Sequence, residues 1–152
     1  MILRIAGAVS ALAAVALFGV VGCTNSEEAS TSTGSTPSVV QAQEILRTLI
    51  SPDTTPAAAA ALVDSPDGSW GAKLHAFALA AARGGYTPDK FTVQSVAAEG
   101  ADTAVAQVSV ASPHAPAPVT VPYTFNRVNG TWKLSPESAQ ALVGMAATKS
   151  HS

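Results

Sequence analysis

From position 39 onward, apolar residues recur first at helical spacing and then at alternating spacing. A first helix is predicted before Ser51 and Pro52, and a short second helix should begin at Pro56 behind the capping residue Thr55 and run to a turn at residues 65–68. A third helix should end at the glycine pair 84–85. The apolar faces of the first and third helices consist of Ala42, Ile45, Leu46 and Leu49, and of Trp70, Leu74, Phe77, Ala78 and Ala81.

After Pro88 the period changes to two, which is typical of half-buried strands. A first strand opens at Phe91 and turns at residues 99–102, and a loop with three prolines at residues 112–118 follows the second strand. Asn129 and Gly130 form the dipeptide of a tight hairpin turn. The predicted inward positions of the last three strands are Ala104, Ala106, Val108 and Val110, then Val119, Val121, Tyr123 and Phe125, then Trp132 and Leu134.

Proline in a strand has a positional meaning. Pro122 cannot donate a ladder hydrogen bond, so its strand should lie at an edge or carry a bulge there. Ser135 and Pro136 then begin a last helix as cap and first residue, and its apolar stripe is Ala139, Leu142, Met145 and Ala146. The predicted fold class is therefore α+β, with helices packed on an antiparallel sheet of about four strands and a C-terminal helix.

The first 22 residues have a different pattern, with a single charge at Arg4 and none at residues 5–21. The run ends at Gly22 and Cys23, the only cysteine of the chain, and resembles the lipobox of bacterial lipoproteins, although Val20 and Val21 replace its usual Leu and Ala or Ser. We expect a signal peptide at residues 1–22, a covalent lipid on Cys23 and a location on the outer face of the cell membrane, with possible release. A plain secretory signal or an uncleaved membrane helix are the alternatives.

Residues 23–38 are rich in Ser and Thr and lack aromatic and branched aliphatic side chains, which predicts a flexible tether. Residues 39–152 are predicted to form one domain. Removal of Arg4 with the signal leaves 7 basic and 10 acidic side chains, without a basic run. Nucleic acid and anionic lipid headgroups are therefore poor partners, whereas an envelope or host protein suits such a surface.

A family resemblance rests on residues 85–142, in the segments GYTPDKFTV, AQVSV, YTF and NGTWKLSPESAQAL. These segments resemble the mycobacterial low-molecular-weight secreted antigen family, the family of the twelve-kilodalton antigen. The resemblance implies a small α+β domain, export from an actinobacterial cell and no established catalytic residue, so no site residue is carried over from it. It implies secretion without an anchor, so membrane attachment rests on Cys23 alone.

Candidate catalytic and metal-binding groups are sparse. His75, His114 and His151 do not stand at metal-ligand spacing, and we expect each to face solvent. Asp64 and Asp67 flank a turn and should bond local backbone amides. Neither a nucleophile elbow nor a phosphate-binding glycine loop occurs, so we expect no enzyme, cofactor or metal.

Two functions remain from the sequence. The first is a surface interaction or antigen domain that binds through the strand of Pro122 and the loop at residues 112–118. The second is a binder of a small apolar ligand between helices and sheet. A cavity lined by Trp132 and Tyr123 would favour the ligand, whereas a filled core would favour the interaction domain. The expected core aromatics are Trp70, Phe77, Tyr123, Phe125 and Trp132.

Overall fold

The computed structural model describes residues 36–147 and confirms the α+β fold class. The predicted signal peptide, Cys23 and nearly all of the predicted tether lie outside these residues. The described elements are α1 (Val39–Ile50), α2 (Pro56–Ala61), α3 (Ser69–Arg83), a 3₁₀ turn (Pro88–Lys90), β1 (Phe91–Gly100), β2 (Thr103–Val110), β3 (Val119–Val128), β4 (Thr131–Leu134) and α4 (Pro136–Ala147). The sheet is antiparallel, in the order β1-β2-β3-β4.

Capping residues fix where the first helices begin and end. Ser38 and Gln41 form a capping box at the start of α1, and the Thr55 hydroxyl accepts the Ala58 N–H at the start of α2. The expectation that α2 runs on to the turn at residues 65–68 is wrong, because the helix ends at Ala61. The chain after it pairs with β4 instead, where Leu134 donates its N–H to Leu62 and accepts the N–H of Asp64.

The end of α3 follows from its two glycines. Gly85 has a φ of 82°, the left-handed conformation that a side chain disfavours, and Gly84 lies before it as the helix cap. The N–H groups of Gly85 and Tyr86 donate to the carbonyls of Ala82 and Ala81. This pattern is a Schellman motif and confirms the predicted helix stop.

Burial along the sheet follows the predicted alternation in β2 but only partly in β1 and β3. The register of β1 against β2 shifts by one residue between Val93 and Ser95, and again before Gly100. Such bulges turn the later side chains of a strand to the other face. In β3, Tyr123 and Phe125 are buried, whereas Val119 is 58% exposed and its predicted core position is therefore wrong.

The structure confirms one of the two predicted reasons why a strand tolerates Pro122, an unpaired side, and excludes the other, a bulge. β3 pairs with β2 in unbroken register, so there is no bulge at Pro122, and as a whole β3 is an inner strand. However, β4 pairs only with the last four residues of β3. Thr124 bonds Ser135 and Ser138 on the side away from β2. Pro122 has the same orientation two residues earlier, so its missing N–H lies on a side of β3 that none of the strands within residues 36–147 pairs there.

The core lies between the helices and the inner face of the sheet, and it contains all five aromatic residues predicted for it. Tyr123 and Phe125 are fully buried there. Gly71 lets α3 approach α2, because a Cβ at this position would lie 2.1 Å from the Pro56 carbonyl oxygen. Among residues 36–147, none of the helices is long and apolar enough to span a membrane.

Candidate functional site

An apolar cavity of about 390 Å³ lies where the C-terminal ends of α3 and α4 meet the beginning of β1. Large aromatic and thioether side chains of its lining come from Phe77 of α3, Phe91 of β1 and Met145 of α4. The other residues of its lining are Ala80, Ala81, Gly84, Tyr86, His114 and Ala146. We refer to this space as the α3–α4 cavity.

Small side chains create the α3–α4 cavity. Ala80, Ala81 and Gly84 form one side, over the last turn of α3, and Ala146 lies on the other side near the end of α4. Because helix axes cannot approach closer than their backbones allow, the small residues at the end of α3 and Ala146 of α4 leave a space that larger side chains would fill. The volume is in the lower part of the range of about 300–1,000 Å³ that is usual for small-molecule sites.

The polar groups of the cavity lie on one side of it. The Tyr86 hydroxyl and the Ser112 hydroxyl are 2.8 Å apart, and the Tyr86 and His114 rings are 6.4 Å apart between centroids. The preceding Gly85 contributes to the same contact, since a Cβ on it would lie 3.2 Å from Cγ of Pro113. The loop at residues 112–118 is therefore held against the end of α3 and brings the exposed His114 side chain to the cavity wall.

Tyr123 connects the core of the sheet to the cavity wall. Its hydroxyl donates to Sδ of Met145 at 3.1 Å, and burial raises the pKa of Tyr123 to about 12. The phenol therefore remains neutral in ordinary buffers and acts as a donor that holds the Met145 side chain.

The histidines that the sequence singled out have different surroundings. His75 is half-buried rather than solvent-facing, because its Nδ1 lies 2.9 Å from the Thr54 carbonyl oxygen and donates to it. His114 is exposed, as predicted, although it also lines the α3–α4 cavity. His151 and Cys23 lie outside the described residues. Within residues 36–147, no group of three or more His, Cys, Asp or Glu side chains could hold a metal ion.

The two candidate carboxylates have separate structural roles. Asp67 accepts hydrogen bonds from the hydroxyl and the backbone N–H of Ser69, which lower its pKa, and this confirms its predicted local role at the start of α3. The same prediction is wrong for Asp64, because its carboxylate accepts from Nδ2 of Asn126 on β3 at 2.9 Å. A hydrogen bond between residues so far apart in the chain cannot be predicted from the local sequence around either of them.

Trp132 and Tyr123 do not line a common cavity. Tyr123 is fully buried, and Trp132 is 8% exposed at the edge of a separate groove of about 470 Å³ between α1 and the last hairpin. Much of the lining of this groove is polar, namely Gln41, Glu44, Thr48 and Thr131. In the part of the chain that the structure describes, these two residues therefore do not share either this groove or the α3–α4 cavity, which lies elsewhere.

A second candidate surface is the unpaired edge of β3, at Val119, Thr120 and Pro122. All three residues are exposed, and they directly follow the loop at residues 112–118. On the opposite side of the sheet, the edge of β1 is covered near its start, because the Gln43 side chain donates to the Phe91 carbonyl and accepts the Val93 N–H. Gln43 thus replaces a neighbouring strand at β1, whereas the described residues provide no such cover at Val119 and Thr120.

Sequence reasoning missed most of the cavity lining. The sequence pattern places Met145 and Ala146 in the apolar stripe of α4 and predicts Gly84 only as part of a helix cap. The signal that could have found the cavity is the cluster of small residues in ALAAARGG, which coincides with the end of a helix that must pack against another. Periodicity reports which face is buried, but not whether the buried side chains are large enough to meet.

Residues 35–150 match the family model described as the C-terminal domain of low molecular weight antigen MTB12. None of the curated proteins matches the chain. The matched range includes every described residue, and therefore both the α3–α4 cavity and the unpaired edge of β3.

Proposed function

We propose that this chain, which belongs to the low molecular weight antigen MTB12 family, is a lipid-anchored, non-catalytic binding protein of the cell envelope. Membership of the family confirms the resemblance that residues 85–142 carry, and it supports a secreted or extracellular, antigen-like protein. The lipid anchor, the binding role and the lack of catalysis are the parts that we propose beyond the family.

The proposal of an anchor is supported by the apolar run that ends at Cys23. A thiol at this position would accept a diacylglycerol, and cleavage before it would leave Cys23 as the first residue of the mature chain. Two or three acyl chains would hold the protein at the membrane almost irreversibly. Since α1 begins at Val39, residues 23–38 would connect the lipid to the domain.

The proposal that the protein is not an enzyme is supported by the engagement of its candidate groups. Asp67 is bonded to Ser69, Asp64 to Asn126, and His75 to the Thr54 carbonyl. A catalytic site needs a nucleophile or base, an orienting partner and a space for the reacting atoms within hydrogen-bond distance of one another. These contacts instead stabilise the start of α3 and connect the segments around α2 to α3 and β3.

The observation that carries the interaction role is the unpaired edge of β3 beside an ordered loop. Thr120 presents both its N–H and its C=O away from β2, as Thr124 does four residues later, and Val119 is 58% exposed beside it. The contacts of Ser112 and Pro113 with Tyr86 and Gly85 hold the adjoining loop in place. An ordered loop loses little conformational entropy on binding, so this edge suits an extended segment of an envelope or host protein.

Two measurements test this function. Cys23→Ala should move the protein from the detergent phase to the aqueous phase, and wild-type protein without acyl mass on Cys23 would contradict the anchor. Crosslinking of the anchored protein in intact cells should give a defined adduct that Val119→Lys weakens. Ala98→Lys provides the control, because Ala98 is an exposed residue of β1, away from the open edge. Equal weakening by both variants, or by neither, would contradict binding at β3.

A second function, the binding of a small apolar ligand, is favoured by one specific observation, the α3–α4 cavity. The filled core around Tyr123 and Phe125 favours the interaction role, but the cavity is a separate space at the ends of the helices. The two functions are compatible, since the loop at residues 112–118 adjoins both the open edge and the cavity.

A further inference from the structure

We propose that the α3–α4 cavity binds one single-tailed amphiphile, with its hydrocarbon tail between the ends of α3 and α4 and its polar head beside His114. The inference rests on the second function proposed above and adds the ligand class, the orientation and the residues that select it. It does not depend on the anchor at Cys23 or on a protein partner at β3.

The size of the cavity selects a single tail. Its volume of about 390 Å³ lies near the lower limit of ligand sites, which generally bury most of the surface of the molecule they hold. A diacyl lipid has two long chains and a large headgroup, and this space would leave most of it in water. A molecule with one medium-length chain can place nearly all of its apolar surface inside.

The lining suits a flexible hydrocarbon. Phe77 and Phe91 provide flat apolar walls, and Met145 provides an unbranched, polarisable side chain that adapts to irregular shapes. The Tyr123 hydroxyl donates to the Met145 sulfur, so this adaptable wall is attached to the fully buried part of the core. Burial of each further methylene of a ligand in such surroundings strengthens binding by a factor of about four.

The polar side fixes the orientation of the ligand. His114 is the lining residue with an exposed polar side chain, and its imidazole can both donate and accept a hydrogen bond. Tyr86 positions it, because the tilted Tyr86 ring lies 6.4 Å from the imidazole between centroids while the Tyr86 hydroxyl bonds Ser112 in the same loop. The lining includes no Asp or Glu, so a carboxylate or hydroxyl head meets no like charge there.

The α3 wall also offers a matched pair of positions for an experiment. Ala80 and Ala76 are both exposed and lie one helical turn apart on α3, but Ala80 lines the cavity whereas Ala76 is outside its lining. Phenylalanine at position 80 would occupy the space of the tail, whereas the same residue at position 76 would extend into solvent. The two variants therefore have the same amino-acid composition, and only the one at position 80 fills the cavity.

The test uses the whole chain with Cys23→Ala, so that no covalent lipid competes for the cavity. Titration calorimetry with decanoic acid and with decanol, each below the concentration at which it aggregates, should show saturable binding of one molecule per chain. Ala80→Phe should weaken the binding of both probes by at least about tenfold, and Ala76→Phe should leave both affinities unchanged. Ala146→Leu fills the space from the α4 side and should weaken binding as well, which keeps the test valid if one filled variant folds poorly.

The head position is tested with His114→Ala, which should lower the affinity for both probes by about three- to tenfold without removing the binding. The proposal is overturned if neither probe binds saturably, or if Ala80→Phe and Ala146→Leu bind as tightly as the parent chain. It is also overturned if Ala76→Phe weakens binding as much as Ala80→Phe does. None of these results affects the anchor at Cys23 or the β3 contact, and failure of either of those leaves the calorimetric result standing.

Discussion

The sheet has two ends along its strands, and the helices cover them differently. At one end Ala104, Phe125 and Leu134 lie in register, all fully buried, and Leu62 and Asp64 bond the last strand. At the other end Phe91 pairs with Val110, and Val110 pairs with Val119, which is exposed. The α3–α4 cavity is at this second end, beside Phe91.

The difference between the two ends is one of side-chain size rather than of hydrophobicity. At the end with Phe125 and Leu134, the small Ala104 lies opposite the large Phe125, so that the side-chain volumes on paired strands complement each other. At the end with the α3–α4 cavity, the small residues Ala80, Ala81 and Gly84 at the end of α3 and Ala146 of α4 are part of the lining of a space that is not filled. An unfilled space of this kind lowers stability through lost packing, so its presence in an otherwise well-packed domain is consistent with the ligand site that we propose.

The largest expected effect comes from removing one aromatic ring at each end. Phe125→Ala should lower the free energy of unfolding by about 3–5 kcal/mol, because it opens a new cavity in a filled region. Phe77→Ala should cost at least about 1 kcal/mol less, because one side of Phe77 already faces empty space. Urea unfolding of the two variants measures this difference. Equal costs would mean that the two ends are packed alike.

A smaller effect is expected from the opposite change, in which a side chain is enlarged at each end of the sheet. Ala104→Leu should destabilise by about 1–3 kcal/mol, since no space is present around a fully buried alanine. Ala80→Leu should change stability by no more than about 0.5 kcal/mol, because the added carbons enter the cavity or its mouth. Thermal and urea unfolding provide the measurement, and a cost at position 80 equal to that at position 104 would contradict the comparison.

The smallest expected effect is a difference in the pH dependence of stability between variants at the two ends of α3. At the N-terminal end, the bonds from Ser69 hold the pKa of Asp67 below its ordinary value of 3.8, so the ionised carboxylate stabilises the folded state at neutral pH. This contribution is lost as the pH falls from 3.8 through the lower folded-state value. Asp67→Asn should therefore be less stable than wild type at neutral pH, and the difference should shrink across that interval.

The C-terminal end of α3 serves as the control for this pH effect, because the Schellman motif there uses backbone groups only. Ala80→Leu should therefore show the same pH dependence of stability as the wild type. Acid titration of the unfolding free energy compares the three proteins. A constant stability difference for Asp67→Asn over the whole interval would show that the carboxylate charge has no stabilising role.

Local sequence rules predicted most of the elements. Thr55 with Pro56, Gly84 with Gly85, and Asn129 with Gly130 act through their immediate neighbours, and their predicted caps and turn are confirmed. The positive φ of 51° at Asn129 and 79° at Gly130 is the type I′ geometry that this dipeptide favours. Each of these features depends on a few consecutive residues, which is why the sequence alone was sufficient.

Features that depend on distant partners were not predicted. The early end of α2 is due to Leu134, about 70 residues later, and the role of Asp64 is due to Asn126. The register shift between β1 and β2 and the hydrogen bonds of Gln43 to the edge of β1 likewise depend on residues that meet only in the folded protein. The cavity belongs to this class, because its existence depends on which small residues of α3 and α4 come to face each other.

The most direct test of the ligand site is to locate a bound molecule by nuclear Overhauser effects, with methyl-labelled protein and unlabelled decanoic acid. We expect contacts from the methylene protons of the ligand to the methyl groups of Met145 and Ala80, and from the protons next to the carboxylate to the His114 ring. Contacts confined to Trp132 and Thr131 in the other groove, or to exposed residues such as Val119, would contradict the account.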